Sequence, residues 1–193
     1  MFTNNYLAYR KQAFLGSDNT YYVTADGSSR KMYRLSIEVA DLGRWLSLAR
    51  CRDILTTSKT ESYPDNAVYP GVYFGSGSTP ASKADYKLES PITSGLAITN
   101  PSALAWTDDG NGKYEVIADY ILRNTSDAEI NIYEIGVFSP VNSNSNGKYG
   151  ASDNVWWLAL MERTVLDEPI TIAPGESKLV TYKLTFNQTL NVE

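Results

Sequence analysis

The chain has 193 residues, no histidine and a single cysteine, Cys51, with a net charge of −5. At ~150 residues per domain this length suits one large domain or two small ones, and such a chain buries roughly 70% of its unfolded surface without needing covalent staples. Lack of histidine excludes an imidazole base, a Ser-His or Cys-His pair and the common zinc sites. One cysteine excludes an internal disulfide.

Hydrophobic residues make up 42% and charged residues 20%, the balance of an ordinary globular protein. The acidic net charge speaks against a general nucleic-acid binder. Charge is uneven along the chain: residues 1–59 hold nine Lys/Arg and five Asp/Glu, and residues 60–193 hold eight and seventeen. Opposite signs on two parts of one chain let copies meet head to tail, or let the basic part meet an acidic partner; a solvated surface explains them equally well. No apolar run approaches the ~20 residues that span a bilayer. The start, Met1-Phe2-Thr3-Asn4-Asn5-Tyr6, lacks the charged and apolar regions of a signal peptide. Assembly in a cytoplasm with no membrane partner is therefore expected, and the sequons at Asn124 and Asn187 are read as chance matches.

In chain order, the first thirty residues are polar with spaced aromatics, Phe2, Tyr6, Tyr9, Phe14, Tyr21 and Tyr22. They suit either an arm whose aromatics dock elsewhere or an irregular first strand pair. Thr24-Ala25-Asp26-Gly27 signals a turn. From Met32 to Cys51, apolar residues at spacings of three and four predict a short amphipathic helix, weakened by Gly43. Residues 57–95, rich in Ser, Thr, Pro and Gly, read as a long loop. Strand signals then follow: Leu96–Trp106, Tyr114–Arg123, Ile130–Phe138, Val155–Val165, Pro169–Ile172 and Leu179–Phe186, with Ser139–Asn154 as a loop. In the last of these, Val180, Tyr182, Leu184 and Phe186 share one face.

The pattern predicts a mainly β protein, an antiparallel β-sandwich of jelly-roll or Ig-like type with an N-terminal arm and one short helix. Three stretches are distinguished: an arm with a helix over 1–60, a loop region over 61–95 and the sandwich over 96–193, all packed as one unit.

Candidate sites fare poorly on their residues. The stretch Gly71-Val72-Tyr73-Phe74-Gly75-Ser76-Gly77-Ser78-Thr79 resembles a phosphate loop, but Thr79-Pro80 lacks the required lysine, and Pro80 stands where a dinucleotide fingerprint needs glycine. A structural loop with positive φ at Gly75 and Gly77 accounts for it instead. Asp108-Asp109-Gly110-Asn111-Gly112 reads as a hairpin turn rather than a calcium loop, because the ligand alternation and terminal glutamate are absent. Glu115, Asp119, Glu134 and Glu162 are carboxylates on strands, where pairing with Lys or Arg across a sheet is the usual state. Cys51 lies between Arg50 and Arg52 without an evident partner and reads as a structural thiol. No catalytic residue, cofactor or metal follows. Trp156-Trp157 lies in a strand, so one ring can be core and the other exposed.

Two stretches carry a resemblance. Gly71–Pro80 with Asp85-Tyr86-Lys87-Leu88-Glu89-Ser90-Pro91-Ile92 resembles a G-x-G-x-T-P…D-x-x-L-x-x-P-I segment of tailed-bacteriophage structural proteins and fibre-base modules. Glu134-Ile135-Gly136-Val137-Phe138, Leu160-Met161-Glu162-Arg163 and Pro169–Tyr182 are similar to their E-I-G-L-F…R…P-I-x-I-x-P-G-E-S-x-x-V-x-Y half. The resemblance covers about residues 70–190 and implies a non-enzymatic virion component on the capsid surface, neck, tail or baseplate. Its partners would be other virion proteins and further copies of itself in a symmetric assembly. Interface candidates are the spaced aromatics Phe2, Tyr6, Tyr9, Tyr63, Tyr69, Tyr73, Phe74, Trp156 and Trp157. A carbohydrate-binding module, with Trp156 or Trp157 and the loop tyrosines stacking on a host glycan, is the alternative.

Overall fold

Alternation of apolar and polar residues over 113–124 and 177–187, and apolar-rich runs over 130–141 and 155–161, produce long antiparallel strands. The computed structural model describes residues 1–8, 20–32, 49–50, 58–59, 71–101, 104–110, 113–144 and 154–187. In chain order the strands are β1 (Thr20–Val23), β2 (Ser29–Met32), β3 (Ala49–Arg50), β4 (Ser58–Lys59), β5 (Gly71–Gly75), β6 (Leu96–Thr99), β7 (Ala105–Asp108), β8 (Lys113–Asn124), β9 (Ile130–Asn144), β10 (Asn154–Ile172) and β11 (Ser177–Asn187). One sheet has the order β3-β5-β9-β10-β4, antiparallel except for the parallel β3–β5 pair; a second has the order β11-β8-β6, with β7 on the same side of β8 as β6; β1 and β2 form a hairpin.

The main core lies between the two larger sheets. Val72 and Phe74 of β5, Ile132, Ile135 and Val137 of β9, and Ile172 of β10 meet Val116, Ala118, Tyr120 and Leu122 of β8 and Val180, Tyr182 and Leu184 of β11. Each large side chain so buried contributes about 1.5–3 kcal/mol. A second, smaller core covers the opposite face of the five-stranded sheet, where Tyr73, Phe138, Leu158 and Leu160 pack under Ala25 of the β1–β2 turn and Leu88 of the segment after β5. The mainly β, sandwich-like architecture expected from the strand pattern is thus present.

Several local expectations are corrected. Gly71–Gly75 is an interior strand of the five-stranded sheet, between β3 and β9, not a loop, and every residue in it is buried. Covered on both faces, it shows a continuous apolar run instead of alternation. Gly75 and Gly77 are not among the positive-φ glycines; their role is spatial, as described below. Leu96–Trp106 is not one strand but two, β6 and β7, interrupted around Asn100-Pro101, where proline cannot donate to a ladder. The expected 139–154 loop is shorter, because β9 runs to Asn144 and β10 begins at Asn154. Val155–Val165 and Pro169–Ile172 are one strand, β10, broken in register between Val165 and Ile170 where residues 166–169 bulge out. The helix predicted over 32–51 lies mostly outside the described residues, and its ends fall in β2 and β3; the helical residues described are 4–8. The five-stranded sheet takes strands from all three stretches distinguished in the sequence.

Turn chemistry closes the hairpins. Asp26 accepts bonds from Thr24 Oγ1 (2.6 Å) and Ser28 N (3.0 Å), and Gly27 takes the left-handed φ of 83° that the β1–β2 turn requires. Asn124, wholly buried, donates to Ala128 O (2.7 Å) and Ile172 O (2.9 Å) and accepts from Ser126 N and Oγ. Its side chain ties the β8–β9 turn to the end of β10, so the amide of this sequon is inaccessible in the folded chain. Asn124→Ala is expected to cost about 2–3 kcal/mol in urea unfolding, because the buried Ile172 carbonyl and the part-buried Ala128 carbonyl lose their donor.

Candidate functional site

The motif stretches singled out in the sequence come together around one buried ion pair. Glu134 lies on β9 and Arg163 on β10, on the face of the sheet that carries the smaller core. Both are buried, at 0% and 3% exposure. Their shared face depends on a bulge: β10 pairs Leu160 with Phe138 but Glu162 with Val137, leaving Met161 as the extra residue. This single insertion moves Arg163, opposite Gly136, to the same face as Leu158 and Leu160, and sends Glu162 to the inter-sheet core. Without it a two-residue period would exchange their faces.

Residues 76–92 form a strap across this face. Its ends close on each other through Ser76 N to Ser90 O (2.8 Å) and Ile92 N to Phe74 O (2.9 Å). The Glu134 carboxylate accepts from the strap backbone at Gly77 N (3.3 Å), Ser90 N (2.8 Å) and Glu89 N (3.0 Å), and from Arg163 Nε (2.8 Å). Arg163 Nη1 donates to Asp85 (2.9 Å), and Nη2 lies 3.6 Å from Glu89 without a hydrogen-bond partner. Glu89 in turn accepts from Thr79 N (2.9 Å) and Thr79 Oγ1 (2.7 Å). Burial pulls the Arg163 guanidinium down, but its bonds to Asp85 and Glu134 outweigh this and hold its pKa above the usual value. The Thr79 hydroxyl, helped by the Thr79 N–H, holds Glu89 below the usual carboxylate range.

Glycines make room for this arrangement. A Cβ at Gly75 would lie 2.4 Å from Glu134 Oε1, one at Gly77 2.5 Å from Glu89 Cβ, and one at Gly136 2.7 Å from Leu88 Cδ2. The G-x-G pair therefore lets the backbone approach a carboxylate, and Gly136 accepts the Leu88 side chain.

On the other face of β10, Glu162 receives the Met1 ammonium (2.5 Å), Thr164 Oγ1 (2.8 Å) and the Tyr182 hydroxyl. The N-terminal segment continues the sheet here: Thr3 N donates to Met161 O, Arg163 N to Met1 O, and Asn5 bridges Leu160 O and Val23. Asn4 N reaches Lys83 O of the strap.

Burial, then the neighbouring Glu162, pushes the Tyr182 phenol well above its usual value, and burial raises Tyr120 likewise. Both stay protonated in the folded chain where an unfolded tyrosine, near pH 10, has ionised. Their stabilising contribution is complete below pH ~10 and is lost as pH rises above it. Unfolding free energy should therefore fall steeply above pH ~10, and Tyr182→Phe should flatten that slope in denaturant titrations from pH 9 to 11.

The sequence candidates separate on this structure. Glu115 is held by Lys113 (2.8 Å) and Lys183 (3.1 Å), and Asp119 accepts from Thr181 (2.5 Å), both on the outer face of β8. Glu134 and Glu162 lie on opposite faces of the other sheet, so these two carboxylates do not face one another. Among the described residues no group of three or more His, Cys, Asp or Glu is arranged to hold a metal ion. Tyr73 and Phe74, expected at an interface, are core residues at 2% and 1% exposure, one in each core. Tyr6 is buried, with Phe2 stacked on it at 4.1 Å, so both dock on their own chain. Trp156 and Trp157 lie in β10 opposite Asn142 and Val141; their side chains, and Tyr9, Tyr63 and Tyr69, fall outside the described residues.

Arg163 is not among the site residues expected from the sequence. A signal exists: Glu134 is the one charged residue of β9, Glu162-Arg163 interrupts the apolar run of β10, and a buried charge requires a partner. Comparison with protein-family models, with curated proteins and with solved structures finds no match for this chain.

Proposed function

We propose that this chain is a non-enzymatic structural component of a tailed-bacteriophage virion, held on the particle by protein–protein contacts as one of several copies in a symmetric assembly. One observation carries the reading. The residues responsible for the resemblance, Gly75, Gly77, Asp85, Leu88, Glu134, Gly136 and Arg163, converge on a single cluster whose carboxylates and guanidinium are engaged with one another and with the strap backbone. Their chemistry fixes a shape. A strap held by a buried ion network presents Ser78, Thr79, Pro80, Ser82, Lys83 and Lys87 outward from a set position, as a contact surface between assembled proteins requires. Mass spectrometry of purified particles should find the chain, and particles from a deletion strain should be defective by electron microscopy and infectivity. Intact, fully infectious particles lacking every copy would overturn the reading.

A further inference from the structure

We propose that β11 is a pairing edge for a second copy of this chain, the two strands running antiparallel about a two-fold axis at Thr181. The inference rests on the assembly role proposed above for its biological setting and names a surface for it.

The ladder geometry carries the argument. β11 ends its sheet, and among the described residues nothing pairs with its outer edge. Asn124 N donates to Glu176 O, so the even-numbered residues of β8 bond toward β11. The bonds Thr125 N to Gly95 O and Asp109 N to Lys113 O turn the odd-numbered positions the other way, toward β6 and β7. Alternation along an antiparallel ladder then has even-numbered β11 residues bonding to β8, and aims the N–H and C=O of Ser177, Leu179, Thr181, Lys183 and Thr185 away from the sheet.

The edge is also a continuous template. β11 keeps register with β8 over its whole length, from Ser177↔Arg123 to Asn187↔Lys113, with no proline and no bulge. Such edges are ordinarily blunted by lysine, proline or a bulge. Here both lysines have carboxylates within their own chain: Lys183 lies 3.1 Å from Glu115 and Lys178 3.9 Å from Glu176. Leu179, 67% exposed, is the most exposed large hydrophobic residue described, and its cross-strand neighbour Ile121 is 48% exposed.

A second copy satisfies these features together. Matching the outer faces requires outward residues to oppose outward residues. An axis at Thr181 sets Thr181 against itself, Leu179 against the partner's Lys183, and Ser177 against the partner's Thr185. Every such pair exchanges two main-chain bonds, about ten in all. The aliphatic stem of Lys183 covers Leu179, and the two Lys183 ammonium groups stay apart on either side of the axis. Moving the axis by one residue along the strand, to Tyr182, brings them to diagonal neighbours, which disfavours it.

The test uses the full chain. Sedimentation equilibrium should show the mass rising with concentration from 21.4 kDa toward twice that value. Thr181→Lys places two ammonium groups face to face on the axis and should raise the dimer dissociation constant about tenfold or more, while the melting temperature of the dilute monomer changes little because the position is exposed. In a Cys51→Ser background, Thr181→Cys should give a covalent dimer with a short bis-maleimide, and Asp127→Cys, on the β8–β9 turn, should not. A monomer at every concentration, or a dimer indifferent to Thr181→Lys that fails to cross-link at position 181, overturns the proposal. A monomeric chain that is nonetheless found in particles overturns the edge pairing alone; a β11-linked dimer absent from particles overturns the virion role alone.

Discussion

Arg163→Met is expected to lower the free energy of unfolding by about 3–5 kcal/mol, the cost of removing one partner from a buried ion pair. The change leaves Glu134 at 0% exposure with its charge unanswered, and Asp85 and Glu89 beside it without their shared cation. Arg163→Lys should recover only part of the loss. The guanidinium bonds Glu134 through Nε and Asp85 through Nη1, and a single ammonium cannot reproduce that fork. Removing both charges, as in Glu134→Leu with Arg163→Met, should not restore parental stability either. The strap N–H groups of Gly77, Glu89 and Ser90 would lose their acceptor, and a buried donor left unmade costs about 1–3 kcal/mol. Urea unfolding followed by tryptophan fluorescence measures all three. A loss below ~1 kcal/mol for Arg163→Met would mean that the cluster does not hold the strap.

The parts of this fold legible in sequence are those with one wet face. β8 and β11 alternate because their odd-numbered side chains meet water, and that alternation marks both to within two residues of their ends. Asp26-Gly27 was equally plain, since its turn is set by local dihedral preference. β5 was opaque for the opposite reason. With a core on either side it has no period, and the glycines that frame it imitate a loop. The site was hidden by distance and by phase. Glu134 and Arg163 stand 29 residues apart, and only the bulge at Met161 aligns their faces. A strict two-residue period would have assigned Glu162, not Arg163, to the strap side. Tyr73 and Phe74 misled because aromatic residues serve cores and interfaces equally well, and the choice depends on the strap and sheet that cover them.

A glycine series separates the need for space from the need for backbone freedom. In Gly75→Ala the new methyl would sit 2.4 Å from Glu134 Oε1 and 2.7 Å from the Ser90 carbonyl oxygen. Neither group can withdraw, since the carboxylate holds Arg163 and the carbonyl accepts from Ser76 N. The expected loss is about 3 kcal/mol, the upper end of the usual overpacking cost. Gly136→Ala meets the ends of flexible side chains, Leu88 Cδ2 at 2.7 Å and Leu160 Cδ1 at 3.0 Å, which can rotate away, and about 1–2 kcal/mol is expected. Gly175→Ala meets nothing within 4 Å but must hold a φ of +75°, a left-handed conformation costing about 1–2 kcal/mol. Stability alone would leave the last two alike, so trypsin provides the second readout. Lys83 and Lys87 are exposed on the strap, and cleavage after them should accelerate in Gly75→Ala, modestly in Gly136→Ala, and not in Gly175→Ala, whose turn between β10 and β11 lies outside the strap. Equal cleavage in all three would show that the strap opens only with global unfolding, and that the G-x-G spacing adds no local control of its shape.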